Sequence, residues 1–301
     1  MTKIIIFLLL FSSCTFACSA PVFRYALMYW RSDPYQIILK YSQSETNKLA
    51  GILKEINKLN IRRSFILRKE KSTNAVGKII LKYPPDKRIR KIIWESELTV
   101  TNLKKILNSP FRKSYIDKIY NKKSLIFLLL EGENQKLNEK IAKIITNSIP
   151  KLEKEIKLPH EYTNIPKEDL KIYDTNIVFK LSFMRLSRTN SEEQIFINIL
   201  TSSLPERIYK KDEPIVFPIF ARGRMLAAFR EKDVCYSELK RICEYVAGEC
   251  SCEVKSRNPG FDIFIPEGWD KDKEKKIISE TVIPSLTGFS EFLPVNEKKK
   301  K

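Results

Sequence analysis

The chain has 301 residues, of which 43% are hydrophobic, 30% charged and 11% aromatic. These fractions are typical of a folded protein. They exclude a disordered polar chain, which would contain fewer apolar residues, and a multi-pass membrane protein, which would contain many more. Fifty-five Lys and Arg against 36 Asp and Glu give a formal net charge of +19, and the single histidine, His160, excludes any site that needs two imidazoles.

The first 17 residues predict a secretory signal peptide, in which Lys3 supplies the positive charge and residues 4–11 supply the apolar stretch. This stretch is shorter than the roughly 20 residues that a membrane-spanning helix needs. A buried N-terminal strand is the alternative interpretation. We expect a bacterial exported protein, located in the periplasm or on the extracytoplasmic face of the membrane.

Signal cleavage can occur in three ways. Residues 11–14 resemble a bacterial lipobox that ends at Cys14, although Phe11 replaces the usual Leu. Residues 15–17 form a poorer lipobox before Cys18 and also suit ordinary cleavage after Ala17. Lipidation at Cys18 leaves four further cysteines, which can pair in three ways, whereas lipidation at Cys14 or ordinary cleavage leaves five. Parity favours Cys18 as a lipid anchor, as in a lipoprotein, or as an extra disulfide partner.

The basic excess has two explanations. Lys, Ile and Asn are abundant along the whole chain, so one explanation is a diffuse excess at the surface. The second is attraction to anionic lipid, cell-wall polymer or nucleic acid. Residues 86–123 contain eleven Lys and Arg against four Asp and Glu, and residues 298–301 are all Lys. Because an exported protein seldom meets nucleic acid, we expect an anionic membrane or cell-wall surface, or an envelope protein, as the partner.

Strand and helix patterns alternate through the first half of the mature chain. Arg24 and Arg31, which lie beside Tyr25, Tyr29 and Trp30, predict an amphipathic edge strand or a partner-binding segment that packs on the first domain. The elements that follow are a strand at 35–41, a helix at 49–59, a strand at 61–67, a hairpin of 78–83 with 91–95, and a short helix capped by Thr99. The predicted order from residue 35 is β-α-β-β-β-α.

The second half repeats nearly the same order, β-α-β-α-β-β-α. Its predicted elements are a strand at 124–130, a helix at 137–156 bent near Pro150, a strand at 177–186, a helix that begins with a capping box at Ser191, a hairpin of 214–220 with 225–229, and a helix from Ser237 that ends at Gly248. Residues 157–173 are the predicted connector. Gly223 suits a position of positive φ in the hairpin turn.

This element order resembles the thioredoxin fold, twice in tandem over residues 35–250. The specific likeness is Pro214, which begins a strand that leads into a glycine hairpin, as the cis-proline segment of thioredoxin does. The resemblance implies an α/β protein in which each central sheet is covered by helices. The implied domains are 18–120, with the N-terminal strand, and 121–270, with a cysteine-rich C-terminal turn, followed by an extension at 271–301 with the basic tail.

The departure from thioredoxin concerns its chemistry. Thioredoxin carries its paired cysteines between the first strand and the first helix. Here those positions hold Ser-Gln-Ser-Glu at 42–45 and Glu-Gly-Glu-Asn at 131–134. Because thiol–disulfide exchange needs a nucleophilic thiolate, neither position can perform it. We therefore expect a redox-dead version of the fold.

Three strings of residues also resemble a family of uncharacterised exported proteins of planctomycete-type bacteria. They are CSAPVFRYAL at 18–27, FPIFARGR at 217–224, and CSCEVK at 250–255 with NPGFD at 258–262. The strings are specific and are spread across the mature chain. The resemblance implies export and no particular activity.

The cysteines allow three kinds of site. A structural disulfide set, in which Cys18 or Cys243 is tied to the turn that holds Cys250 and Cys252, suits an oxidising compartment. We expect Cys18, if it is not lipidated, to pair with Cys250 or Cys252. A redox-active pair of Cys250 and Cys252 is the second possibility. Metal binding is the third, but no histidine or second pair completes a tetrahedral set. Cys243 lies on the apolar side of its predicted helix, so we expect it to be buried, and Cys235 to be a free thiol.

Few further residues suggest chemistry. Arg222 and Arg224 flank the turn glycine and could hold a carboxylate or phosphate, although hairpin arginines are more often plain surface. The motifs of serine hydrolases and phosphate-binding loops are absent, and only 8 Gly occur. We expect no cofactor and no metal site. The favoured function is a non-catalytic binding or structural module at a membrane or cell-wall surface, and the alternative is a thiol-disulfide oxidoreductase that uses Cys250 and Cys252.

Overall fold

A computed structural model describes residues 18–58, 65–72, 76–87, 89–159, 178–205, 210–250 and 260–266. The predicted signal peptide with Cys14, the single His160, the connector from residue 160 onwards, Cys252 and the basic C-terminal tail lie outside these ranges. For Cys18 and Cys250 the described part is the backbone. Within these ranges the chain is a mixed α/β protein with two mixed sheets.

The helices and strands of the described residues follow in chain order. The helices are α1 (Val22–Tyr29), α2 (Thr46–Lys58), α3 (Val100–Leu107), α4 (Pro110–Tyr120), α5 (Gln135–Glu155), α6 (Gln194–Thr201) and α7 (Tyr236–Ala247). The strands are β1 (Cys18–Pro21), β2 (Tyr35–Tyr41), β3 (Phe65–Lys71), β4 (Lys78–Lys82), β5 (Ile92–Glu97), β6 (Leu125–Leu130), β7 (Leu181–Leu186), β8 (Ile215–Phe220), β9 (Arg224–Met225), β10 (Phe229–Arg230) and β11 (Glu249–Cys250).

The N-terminal segment differs from its prediction in type and in place. Only β1 is a strand, and the following eight residues form helix α1. Val22, Phe23 and Ala26 lie on its buried side, which is the spacing of a helix face. β1 pairs with β11 near the C-terminal end of the second half, and α1 packs against α7. The segment therefore belongs to the second half of the molecule rather than to the first.

The first sheet has the strand order β3-β2-β4-β5. β2 and β3 are parallel and are joined through α2, whereas β4 runs antiparallel to both β2 and β5. Tyr35, Ile37 and Leu39 alternate along β2 and are fully buried on one face. The opposite face carries charged side chains, among them the ion pairs Lys40–Glu70, at 3.7 Å, and Lys78–Glu95. Ile38 and Ile80 also lie on this second face and are buried, so the alternation of apolar and charged residues is incomplete.

The second sheet has the order β10-β8-β6-β7, with β9 also paired to β8. β6 and β7 are parallel and are joined through α5, and β8 is antiparallel to β6. All residues of β6 and β8 are buried, because both faces of these strands are covered. Their sequences are accordingly continuous apolar runs rather than alternating ones.

The two sheets share one arrangement. In each, the first strand lies in the centre, the second lies parallel beside it, the third returns antiparallel on its other side, and the fourth lies beyond the third. A helix follows the last strands in each half, α3 in the first and α7 in the second. The halves differ after the parallel strand, because α6 precedes β8 whereas only residues 72–77 separate β3 from β4. Every described peptide bond is trans, including that before Pro214.

A large hydrophobic cluster, here called the shared core, contains side chains from both sheets. It joins one face of the first sheet to one face of the second through helices α2, α3, α4 and α6. Representative members are Tyr35, Ile37, Leu81, Leu103, Ile116, Leu128, Ile199, Phe217 and Phe264. The two halves are therefore packed on each other rather than strung on a linker.

The opposite face of the second sheet forms a second core. It packs against α1, α5 and α7, with members such as Phe23, Phe127, Ile141, Leu152, Phe220 and Val246. Helix α5 runs through Pro150 to Glu155 and keeps Leu152 buried, so the proline does not end it. The layers in order are the first sheet, the helices of the shared core, the second sheet, and the helices of the second core.

Residues 260–266 pass between the two halves and are here called the C-terminal insert. Phe261, Ile263, Phe264 and Ile265 are all buried in the shared core. The Met225 N–H donates to the Phe261 carbonyl, at 3.0 Å, and the Ile263 N–H donates to the Gly223 carbonyl, at 2.8 Å. The insert therefore extends the β8–β9 turn of the second sheet while its side chains fill space beside the first.

Candidate functional site

Residues 42–45, between β2 and α2, are held in a closed turn. The Glu45 carboxylate accepts from the Ser42 N–H, at 3.3 Å, and from the Ser42 hydroxyl, at 3.1 Å, in a capping box. Backbone hydrogen bonds from Ser42 and then Gly77 lower the pKa of Glu45. Gly77 directly precedes β4, so this carboxylate ties the loop after the first strand to the loop before the third.

Gly77 leaves room for this contact. A Cβ atom built on it would lie 2.5 Å from Glu45 Oε2. The pair Glu45 and Gly77 thus fills the space between the loop after β2 and the loop before β4. No thiol is present at this position, and the side chains there are the hydroxyls, amide and carboxylate of residues 42–45.

Residues 131–134, between β6 and α5, are closed in a corresponding way but by backbone. The Glu133 N–H donates to the Lys211 carbonyl, at 3.2 Å, and the Asn134 N–H donates to the Asp212 carbonyl, at 3.3 Å. A Cβ atom on Gly132 would lie 2.3 Å from the Asp212 carbonyl oxygen. The loop before β8 therefore lies directly on the loop after β6, with no room for a side chain between them.

A buried amide fixes the inner side of the same loop. Asn138, which is 1% exposed, accepts from the Gly132 N–H at 2.8 Å and donates to the Gly132 carbonyl at 2.9 Å. Arg188 spans the outer side, donating to the Glu131 carbonyl at 2.7 Å and to the Glu213 carbonyl at 2.9 Å. The amide and the guanidinium form hydrogen bonds with backbone groups on both sides of the loop and hold it in this conformation.

A buried charge cluster joins the N-terminal segment, the β8–β9 turn and the C-terminal insert. Arg224, 2% exposed, lies 3.4 Å from Asp33 and 3.5 Å from Asp262. The Asp33 N–H donates to the Asp262 carboxylate at 2.8 Å, and the Asp262 N–H donates to the Asp33 carboxylate at 3.3 Å. Lys87 lies 3.0 Å from Asp33. The carboxylates are paired, as buried charges must be.

The two predicted anion-binding arginines have partners within the chain. Arg224 belongs to the cluster just described, and Arg222 donates to the Leu27 carbonyl, at 2.9 Å, in the last turns of α1. Gly223 between them has a φ of 100°, which is the positive value that the turn pattern predicts. An external anion at Arg224 would compete with two carboxylates. We therefore assign both arginines the role of joining segments of this chain. That they bind an anion stays a prediction.

A second set of buried polar groups secures helix α4, which is missing from the elements predicted by sequence. Glu193 accepts from the Ser109 hydroxyl, at 2.6 Å, and from the Phe111 N–H, at 2.7 Å, at the first turn of α4. Arg112 is buried and donates to the Phe264 carbonyl, at 2.6 Å, and to the Ile106 carbonyl, at 2.7 Å. Ser109 followed by Pro110 is a helix start signal that could have predicted α4.

The cysteines that the sequence analysis singled out occupy distinct environments. Cys243 is fully buried in the second core, where burial raises the pKa of its thiol to about 12. Cys235 is an exposed free thiol directly before α7, and a hydrogen bond with the Ser237 hydroxyl lowers its pKa. The Cα atoms of Cys18 and Cys250 face each other in the β1–β11 pair. Cys252 and Cys14 lie outside the described residues.

The basic segment 86–123 is only partly a surface feature. Arg112 is buried, and Lys87 contacts Asp33 with a quarter of its side chain exposed, so neither belongs to a free basic surface. Among the described residues of the segment, the exposed basic side chains are Arg90, Lys91, Lys104, Lys105, Lys113 and Lys122. Charge counting could not separate these groups, because burial depends on contacts with Phe264 and Asp33, which are distant in the sequence.

Comparisons with known proteins do not add a function. The chain matches no protein-family model, and no curated protein is similar to it. Within the described ranges, no group of three or more His, Cys, Asp or Glu could hold a metal ion. No helix in that part of the chain is long and apolar enough to cross a membrane.

Proposed function

We propose that this chain is an exported, non-catalytic binding module of two thioredoxin-like units, held at an anionic membrane or cell-wall surface. The observation that carries the proposal is the closure of both loops at which a thioredoxin-like enzyme would place its cysteines. Neither loop has a thiol, and each is hydrogen-bonded to the loop before its third strand. A catalytic site of this fold needs the opposite, an exposed thiolate beside an open groove.

The common arrangement of the two sheets supports the tandem interpretation. Both have a central first strand, a parallel second strand reached through a helix, and antiparallel third and fourth strands. This is the order that the thioredoxin resemblance implies. The trans bond before Pro214 departs from the family's pattern.

The surface assignment depends on charge. The chain carries a formal net charge of +19. Exposed basic side chains on or near α3 and α4 are available to anionic groups, and each Lys or Arg close to an anionic membrane contributes about 1 kcal/mol. Such binding weakens as salt increases, because ions screen exposed charges over about 10 Å at 0.1 M.

The test of surface binding compares two double variants of equal charge. Lys104→Glu with Lys105→Glu alters the segment 86–123, and Lys136→Glu with Lys143→Glu alters exposed positions on α5. We expect the full chain to sediment with vesicles of anionic lipid but not with neutral ones, and the first variant to bind at least about tenfold more weakly than the second. Equal losses would indicate diffuse charge, and binding to neutral vesicles would contradict the proposal.

A thiol-disulfide oxidoreductase that uses Cys250 and Cys252 is the competing function. An insulin-reduction assay separates the two functions directly. We expect no turnover above that of a protein without cysteines. Robust turnover that Cys252→Ser abolishes, while Cys235→Ser leaves it intact, would replace the binding module with the enzyme.

A further inference from the structure

The short β1–β11 pair brings together two cysteines that are distant in the sequence. The strands are antiparallel, and Cys18 is the partner of Cys250, with an irregularity in the register between Cys18 and Pro21. Opposite residues in antiparallel strands have Cα atoms about 4.5 to 5.5 Å apart. Disulfides span Cα separations of about 4.4 to 6.8 Å. The backbone separation is therefore suitable whichever kind of antiparallel pair these residues form.

The other described cysteines are poor partners for Cys18. Cys243 is fully buried in the second core, and its raised pKa makes the thiolate that exchange requires scarce. Cys235 lies at the opposite end of α7 from β11. An α-helix of that length separates its ends by about 18 Å, which is beyond the reach of one disulfide.

We propose that Cys18 and Cys250 form a disulfide bond that closes the chain on itself. In this step the two thiols lose two protons and two electrons, one S–S bond forms between them, and the S–S bond of a disulfide oxidant breaks to give two thiols. The step depends on the proposed export for the oxidant alone, which the periplasm supplies. A sulfur in this bond cannot carry a lipid, so the bond and lipidation at Cys18 exclude each other.

The bond would fix a segment that is already attached at its other end. The Val22 N–H donates to the Gly248 carbonyl, at 2.9 Å, directly beside the β1–β11 pair. From there α1 places Phe23 in the second core, and the chain reaches Asp33, which is bonded to Asp262. A covalent link at Cys18 would therefore secure the start of a segment that is anchored in the second core and at the C-terminal insert.

The experiment maps disulfides in the full chain, expressed with its signal sequence and recovered from a bacterial periplasm. Free thiols are alkylated without reduction before digestion. Cys250 and Cys252 fall in the same peptide, so serine variants distinguish them. We expect a peptide joined to Cys18 in the wild type, in Cys252→Ser and in the control Cys235→Ser. In Cys250→Ser we expect that link to be lost and Cys18 to be alkylated.

A link that survives Cys250→Ser, an acylated Cys18, or a Cys18 alkylated in the wild type would overturn the pairing. A second arm is independent of export. The reduced mature chain is refolded in a buffer of oxidised and reduced glutathione, and the same bond is expected there. If it forms in this buffer while the cells retain the chain in the cytoplasm, export fails and the pairing stands. If it does not form in the buffer, the pairing fails.

Thermal unfolding supplies a readout besides mapping. A cross-link that encloses residues 18–250 constrains the unfolded chain strongly. We expect a reductant to lower the Tm of the wild type on the order of 10 °C. The double variant Cys18→Ser with Cys250→Ser should show no such shift. An equal shift in both proteins would assign the effect to another bond and overturn the proposal.

Discussion

At the scale of single residues, the polar groups that matter most are buried and join distant segments. Arg224 joins Asp33 from the N-terminal segment to Asp262 from the C-terminal insert, and Lys87 approaches the same carboxylate of Asp33. Glu193 and Arg112 secure α4 in a similar way. These residues therefore stabilise the fold by joining segments of the chain.

Replacement of Arg224 by Met removes the cation between two buried carboxylates. We expect the free energy of unfolding to fall by about 3 to 5 kcal/mol, because uncompensated charges would remain buried. Addition of Asp262→Asn should recover part of this loss. Arg241→Met is the control, since Arg241 is 65% exposed and pairs with Glu238 on the surface, and it should change stability by less than about 0.5 kcal/mol. Urea denaturation measures all three, and a small effect of Arg224→Met would contradict the charge cluster.

The two described free thiols should differ strongly in reactivity. At pH 8 a thiol with a pKa of about 12 is ionised in about one molecule in ten thousand, whereas an ordinary thiol is ionised in about one in four. The lowered pKa of Cys235 increases its thiolate fraction further, and its side chain is exposed. We expect iodoacetamide to modify Cys235 at least about 100-fold faster than Cys243. Comparable rates in the native protein would show that Cys243 is accessible.

The same burial gives stability a dependence on alkaline pH. The folded chain keeps the Cys243 proton up to about pH 12, whereas an unfolded thiol loses it near pH 8.5. The folded state therefore binds more protons between these values, and the free energy of unfolding falls as the pH rises through this window. Cys243→Ala should flatten that part of the curve, as measured by urea denaturation at a series of pH values.

At the scale of elements, local patterns predict most strands and the helices with clear faces. Strand β6 and helix α5 follow from apolar runs and helical spacing, and the predicted Thr99 cap of α3 is present, with Thr99 accepting from the Asn102 N–H at 3.1 Å. The predicted strand at 61–67 is found as Phe65–Lys71, with residues 59–64 outside the described ranges. In place of the predicted capping box at Ser191, the Asn190 side chain caps the 3-10 turn Ser191–Glu193 that leads into α6.

The failures have a physical cause in contacts between distant residues. In the segment that contains α1, the pattern of apolar and polar residues is too short and too irregular to distinguish a strand from a helix. The apolar side of α1 is buried because α7 packs beside it. The four apolar residues of the C-terminal insert follow neither the spacing of a helix nor that of a strand, although all four are buried in the shared core. The closed loops could be predicted to lack thiols, but their hydrogen bonds to residues 77, 211 and 212 could not.

The two loop glycines provide a matched pair of variants. In Gly132→Ala the new Cβ would lie 2.3 Å from a backbone oxygen, so the main chain must move, whereas in Gly77→Ala it meets the Glu45 carboxylate, a side chain that can rotate. We expect Gly132→Ala to lower the free energy of unfolding by about 2 to 3 kcal/mol and Gly77→Ala by about 1 kcal/mol. Chemical denaturation measures both losses.

A further variant tests the role of Glu45 in this pair. Adding Glu45→Ala to Gly77→Ala should cost less than the sum of the single changes, because the clash disappears. If Gly132→Ala and Gly77→Ala lowered the free energy of unfolding equally, the loop at 131–134 would rearrange as easily as the loop at 42–45.

At the scale of the whole molecule, the shared core makes the two halves one folding unit. The Phe264 ring lies 5.0 Å from the ring of Tyr35 and 6.3 Å from that of Phe65, while the Arg112 guanidinium lies 5.5 Å from its centre. One side chain of the C-terminal insert thus contacts the first sheet and a helix that leads to the second. The tandem pattern in the sequence predicts two similar halves but not a core common to them.

Replacement of Phe264 by Ala should therefore affect both halves together. We expect a loss of about 3 to 5 kcal/mol, the usual effect of removing a buried phenyl ring, with a single calorimetric transition moved to lower temperature. Val76→Ala is the control, since Val76 is 71% exposed. Two separate transitions, of which only one moves, would show that the halves fold independently.

The position of the C-terminal insert also constrains when the protein can fold. Synthesis proceeds from the N-terminus, so residues 260–266 leave the ribosome after every described strand of both sheets. Until they arrive, the shared core lacks Phe261, Ile263, Phe264 and Ile265, and Arg224 lacks Asp262. A nascent chain therefore cannot complete its shared core until residues 260–266 have been made. For a protein that we propose to be exported, a core that is completed only after the strands of both sheets favours transport before folding.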